Sequence, residues 1–160
     1  MNESPQVSFS NFKTNVKTLA LATLTEEARP NISYAPFVED DNGNFYLFLS
    51  QLAHHTQELL SHEVASILLM EDEQDSRQIF ARQRISYHCE VDVILADELE
   101  YELMLNALEQ RFGNIIQLLR GLPDFILFKL KPYEGRYVKG FGKAYELVGE
   151  GLTELKHIDT

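Results

Sequence analysis

Two arginines one residue apart, Arg82 and Arg84, stand out in a 160-residue chain that carries only 14 Lys and Arg against 25 Asp and Glu. They stand at the head of an alternating segment, and strand side chains alternate faces, so both guanidinium groups are expected on one side of the backbone. Planar guanidinium forks suit carboxylates and phosphates. Upstream, SQLAHHTQELLSHE from Ser50 reads as a helix start rich in hydroxyl and imidazole groups, where backbone N–H groups can receive an anion. Together these segments read as a pocket for an acidic cofactor. The competing reading pairs the arginines with Glu90, Asp92 or the acidic loop EDEQDS at 71–76, the ordinary role of surface arginine.

The histidines divide by position. His54 and His55 are adjacent, so they point about 100° apart on a helix and cannot share a face. His62 lies seven residues beyond His55 on the same side, but without a cysteine partner or a clustered third ligand it makes a poor zinc site. His88 sits among Ser86, Glu90 and Asp92 on the polar face of a strand and reads as a surface or interface histidine. Cys89 faces the other way, as an inert buried thiol would. Asp124 follows a proline and opens a strand, a common setting for a turn aspartate. Gly140 and Gly142 flank Phe141, which suggests a bend and leaves room for a planar ring against the backbone.

The elements that must carry these residues are mostly strands. After a loose polar tail at 1–7, Phe9, Phe12 and Val16 recur at helical spacing. TLALATLT from Thr18, PNISYAPFV from Pro30 and NFYLFLS from Asn44 then read as strands. EEAR at 26–29 forms a soft turn, and DDNG at 40–43 a tight hairpin, because Asn-Gly supplies positive φ angles. Ala53 to Ser61 is expected to be helical and Val64 to Met70 extended. From Arg82 to Leu95, the residues Ile85, Tyr87, Cys89, Val91, Val93 and Leu95 fall on one face. Asp97 to Phe112 has amphipathic helical spacing with Leu99, Leu103 and Met104 inward. NIIQLLR continues as a short helix that Gly-Leu-Pro at 121–123 stops. DFILFKLKP and RYVKGFGKAYELV read as two more strands. Most connections are hairpin-short, which excludes a parallel α/β sheet and points to a single domain, 1–160, built as a mainly β, antiparallel barrel with flanking helices.

Composition narrows the partners. Apolar residues make up 44% and charged residues 24%, a globular profile. A net charge of -11 opposes binding to nucleic acid or to anionic membranes. No apolar run approaches the length of a membrane span. MNESPQVSFSNF lacks a basic region followed by an apolar core, and the single cysteine fits a reducing compartment, so a cytoplasmic location is expected.

ISYAPFV at 32–38, SQLAHHTQEL at 50–59, IFARQRIS at 79–86, LPDFILFKLKP at 122–132 and RYVKGFGKAYEL at 136–147 occur in an order that resembles the split-barrel flavoproteins related to pyridoxamine 5'-phosphate oxidase. More narrowly, the chain resembles the haem-utilisation branch, the HugZ/HutZ-type haem-degrading proteins. The resemblance covers roughly residues 17 to 158. It implies an antiparallel split β-barrel, a homodimer with cofactor pockets between subunits, and either haem or FMN as cofactor. For haem, it implies a haem-degrading oxygenase supplied with electrons by a separate donor. His55, the histidine before Thr in the family's pattern, would then enter the pocket with Arg84, and Asp124 would orient a proximal histidine. Relatives take that histidine from a C-terminal tail, where this chain offers only His157. For FMN, it implies an oxidoreductase with phosphate held among Ser50, Thr56, Arg82 and Arg84. Flavin-binding relatives carry Arg or Lys where this chain has His54 and His55. A non-catalytic haem or flavin carrier on the same barrel is the third implication.

Overall fold

The chain opens with a capped helix. Ser4 Oγ accepts the Val7 N–H at 3.2 Å and Pro5 follows it in the first turn, the pairing that starts helices well. This helix, α1 (Pro5–Asn15), buries Phe9 and Phe12. Residues 5–7, expected in a loose tail, form its first turn. A computed structural model describes residues 3–159.

The strands follow as β1 (Thr18–Leu24), β2 (Pro30–Pro36), β3 (Val38–Glu39) and β4 (Phe45–Ser50), then α2 (His54–Ser61), β5 (Val64–Met70) and β6 (Arg84–Ile94). Two helices, α3 (Leu99–Phe112) and α4 (Ile115–Arg120), precede β7 (Phe125–Gly140), β8 (Lys143–Val148) and β9 (Glu154–His157). The hairpin between β3 and β4 forms as the sequence indicates. Asp40 Oδ1 accepts the N–H groups of Asn42 and Asn44, each at 2.9 Å. Gly43 has φ +84, and a Cβ there would lie 2.7 Å from the Gly151 carbonyl oxygen, so only glycine suits the turn.

All ladders are antiparallel, in the order β2-β1-β5-β6-β7-β4-β3, with β8 on β7 and β9 on β8. The 16 residues of β7 pair with β6 on one edge. Its other edge is divided, with β4 on Phe125–Leu130 and β8 on Gly135–Gly140. The sheet forks there, so it curls into a split barrel without closing. One core fills the barrel, with Phe45, Leu47, Ile85, Tyr87, Cys89, Phe128 and Tyr137 at its centre. A second lies on the other side of β4, where Val38, Tyr46, Ile94 and Leu127 meet Met104, Leu105, Leu108 and Ile116 from the helices. Being buried on both faces explains the unbroken apolar run FYLFL.

Four expectations change. β6 begins at Arg84, and Arg82 lies in the turn before it. The barrel-facing row of β6 ends at Val91; Val93 and Leu95 are exposed, while Ile94 on the opposite parity enters the helical core. α3 turns Met104, Leu105 and Leu108 inward, with Leu99 90% and Leu103 64% exposed. Finally, β7 runs unbroken from Phe125 through Gly140, the hairpin falls at Phe141–Gly142, and β9 is an additional strand.

Candidate functional site

The start of α2 is built by a serine and an aspartate. Ser50 Oγ donates to Asp124 Oδ2 at 2.6 Å and accepts the Leu52 N–H at 3.1 Å, while the Gln51 N–H reaches the Asp124 carbonyl at 2.8 Å. Thr56 Oγ1 donates to the Ser50 carbonyl at 2.5 Å. The structure therefore brings Ser50, Thr56 and Asp124 together, as a turn anchor. Thr56 is completely buried and its hydroxyl is spent on this turn, so it offers nothing to a phosphate. Asp124 keeps Oδ1 without a partner among the described residues.

His55 sits one turn along, half-buried, with Nδ1 2.8 Å from Ser33 Oγ. Burial lowers its pKa, against the opposing influence of Glu58, so the ring is neutral at pH 7 with Nε2 unpartnered. Glu58 below it accepts from Thr23 at 2.9 Å and Asn31 at 2.7 Å. His54 is exposed, and His62 caps the C-terminal end of α2 in an extended conformation.

The arginines are elsewhere. Arg84 pairs in register with Met70 at the end of β5 remote from α2, a strand length of about 20 Å. Arg82 Nε donates to the Glu71 carbonyl at 2.6 Å and its guanidinium lies 3.8 Å from Glu73. This is the acidic-loop pairing, so Arg82 is a structural residue here. Arg84 donates through one terminal nitrogen to the Arg82 carbonyl at 2.9 Å and keeps its remaining donors free. Within one chain, then, the expected single pocket separates into two regions.

Around Arg84 the sheet presents its outer face, the side away from the barrel core. Register aligns Tyr34, Ala20, Leu68, Ser86, Arg136 and Glu146 across six strands, and beside them Ile32, Ala22, Ser66, His88 and Glu134. The face is apolar over β2, β1 and β5 and turns polar at β6. At that seam lies a groove of about 390 Å³ lined by Ser86, His88, Tyr133, Arg136 and Glu146, among others. His88 Nδ1 is 2.6 Å from Ser66 Oγ. Arg136 has no ion-pair partner among the described residues. Sequence reasoning passed over Arg136; its place two residues beyond Glu134 on the alternating face of β7 was the available signal. Cys89, on the inner face, is buried as expected, and burial pushes the pKa of its thiol up to about 12.

His157, expected as the haem-iron ligand, lies at the surface of the single chain. Its Nδ1 lies 3.0 Å from Asp159 Oδ1 and its Nε2 2.9 Å from the Gly142 carbonyl. Two acceptors favour the doubly protonated ring, and these bonds raise its pKa, the Gly142 carbonyl foremost. His157 also lies beside Tyr145, which pairs with Tyr137, twelve positions along β7 from Phe125. That strand length, about 40 Å, separates it from Asp124 within the chain. No cluster of three His, Cys, Asp or Glu side chains suited to a metal occurs among the described residues. Among the described residues no helix is long and apolar enough to cross a membrane.

Comparison with known proteins places this geometry. The sequence profile of the pyridoxamine 5'-phosphate oxidase family matches residues 8–139. Haem oxygenase HutZ of Vibrio cholerae is 39% identical over 148 residues, spanning 92% of this chain and 84% of HutZ. The crystal structure of V. cholerae HutZ, described as a haem storage protein, superposes with a TM-score of 0.79 at 33% identity, covering 84% of this chain and 94% of HutZ. That of Campylobacter jejuni ChuZ gives a TM-score of 0.83 at 28% identity, covering 99% of this chain and 64% of ChuZ. This chain belongs to the pyridoxamine 5'-phosphate oxidase family of split barrels, in its haem-utilisation branch.

Proposed function

We propose that this protein binds haem between the subunits of a cytoplasmic homodimer and degrades it with electrons from a separate donor. The observation that carries the proposal is the 39% identity with a haem oxygenase along nearly the whole chain. The chemistry of the side chains supports haem over FMN. Of the four residues proposed to grip a flavin phosphate, Ser50 is engaged by Asp124, Thr56 is buried, Arg82 is tied to the acidic loop, and Arg84 lies a strand away. Haem needs a neutral imidazole with a free nitrogen and a cation for its propionates. His55 and His88 each have Nδ1 near a serine and Nε2 unpartnered, and Arg84 and Arg136 have donors to spare, so the residues present fit the group.

Oxygen activation is the property of the bound porphyrin, while the chain supplies ligand, orientation and polarity. The outer face supports the dimer, since Ile32 is 74% and Tyr34 62% exposed beside exposed Val64 and Met70, apolar surface of the kind interfaces cover. A second copy seated there would turn the groove at the seam into a closed cleft. Asp124 Oδ1, free within its own chain, would be a polar contact for the cofactor or the second subunit. A non-catalytic carrier is the second reading, favoured by the description of HutZ as a storage protein. The test is to titrate the purified full chain separately with ferric haem and FMN. A saturable Soret band with haem and no flavin uptake is expected; tight FMN binding with no specific haem band would overturn the proposal.

A further inference from the structure

We propose that the outer side of the α3–α4 helix pair is the docking surface for the electron donor, a flavoprotein reductase that presents basic side chains around an apolar centre. This rests on the haem reading above and adds the partner which that reading requires.

Leu99 and Leu103 are about one helical turn apart, so both lie on the outer side of α3, away from Met104, Leu105 and Leu108 in the core. Ile115, Leu118 and Leu122 recur at helical spacing along and just beyond α4 and are exposed as well, while Ile116 is buried. The Arg120 side chain ties the two helices, reaching Glu102 and, at 3.0 Å, Asn106. Two apolar rows thus stand in solvent on one helix pair, the kind of surface that a partner covers.

Charge decides which partner. Six carboxylates and no Lys or Arg occur from residue 92 to residue 110. Asp92, Glu100 and Glu102 are paired with Lys131, Lys129 and Arg120, whereas Asp97, Glu98 and Glu109 have no ion-pair partner among the described residues. A second copy docked about a two-fold axis would set this acidic rim against itself. An anionic membrane is repelled in the same way. A basic-rimmed protein is attracted, and redox encounters use small, charge-steered contacts of this kind. Leu122 lies two residues before Asp124, at most about 7 Å of chain, and Asp124 is the candidate cofactor contact beside these helices. At each encounter the donor's reduced flavin loses one electron and the ferric iron gains it, becoming ferrous. NADPH reduces the flavin again, so one NADPH serves two encounters and leaves NADP+ and a proton.

The experiment follows reduction of the full chain's ferric haem complex by NADPH and purified ferredoxin–NADP+ reductase, with carbon monoxide to trap the ferrous form. The parent is compared with the double variant Asp97→Lys, Leu99→Ser and with Glu27→Lys, which makes the same charge change on the β1–β2 turn. Dithionite reduction checks the haem site, and light scattering checks the mass. Saturable reduction of the parent that slows about fivefold or more between 50 and 300 mM salt is expected. The double variant should lose about tenfold in kcat/KM, mostly through KM, with dithionite reduction and mass unchanged and Glu27→Lys at the parental rate. Parental kinetics in the double variant, an equal loss in Glu27→Lys, or reduction that ignores salt or never saturates overturns this inference alone. A lower mass in the double variant makes a second copy the occupant and overturns it too. Absence of any haem band in the unaltered chain overturns this inference and the haem reading together.

Discussion

Ser50→Ala should loosen the start of α2 by an amount the hydrogen bonds define. The substitution removes a charge-assisted bond to Asp124 Oδ2 at 2.6 Å and a neutral one from the Leu52 N–H at 3.1 Å. Bonds to charged groups contribute about 1.5–3 kcal/mol and neutral ones about 0.5–1.5. Ser50 and Asp124 are half-buried and Leu52 is exposed, so water recovers part of the loss and the net cost is expected near about 2 kcal/mol. The backbone bond from Gln51 to Asp124 at 2.8 Å survives. In a chain of this length each kcal/mol lowers Tm by about 2–4 °C, so the fall should be about 4–8 °C. Asp124→Asn retains an acceptor for Ser50 and should cost about 1 kcal/mol. Thermal unfolding at neutral pH, checked against urea midpoints, measures both. A Ser50→Ala shift of less than about 1 °C, or a larger loss in Asp124→Asn than in Ser50→Ala, would refute the anchoring argument.

Other outcomes follow from the same geometry. Because hydrogen bonding raises the pKa of His157 in the folded state, its stabilisation should be fully present below the unfolded value and vanish as pH rises through the folded one; His157→Ala should remove that dependence, read from urea midpoints across the window. Lys13 pairs with Glu39 at 2.5 Å amid the rings of Phe9, Phe45 and Tyr87, so Lys13→Met should cost about 3 kcal/mol at neutral pH in denaturant titration. The deficit should shrink as acid protonates Glu39, whose pKa burial already raises. If the proposed dimer forms through the apolar outer face, Tyr34→Glu should give a monomeric mass by light scattering, and a parental mass would place the interface elsewhere.

Local patterns were legible in the sequence where their cause is local. The Asp40–Gly43 hairpin depends on one side chain and one positive φ, and the alternation of β6 on backbone geometry alone. What covers a face was not legible. Parity put Val93 and Leu95 with Ile85, but the barrel ends before them and α3 covers the opposite side, so Ile94 is the buried residue. The same limit applies to α3, where spacing allowed Leu99 and Leu103 inward but contact with β3 and β4 selects Met104, Leu105 and Leu108. In the candidate site, the resemblance located Ser50, Thr56 and Asp124, which do meet. It could not show that a turn takes Arg82 out of the strand, or that Gly142 and Asp159 occupy both nitrogens of His157. These are long-range or tail contacts without a short-range signature.

The most direct measurement of the central claim is turnover of the haem complex. The purified chain loaded with one ferric haem, given dioxygen and a chemical reductant in the presence of catalase, should lose its Soret band while iron is released to a ferrous chelator. A complex that binds haem tightly but keeps its Soret band and its iron under these conditions would contradict the oxygenase account and identify a carrier.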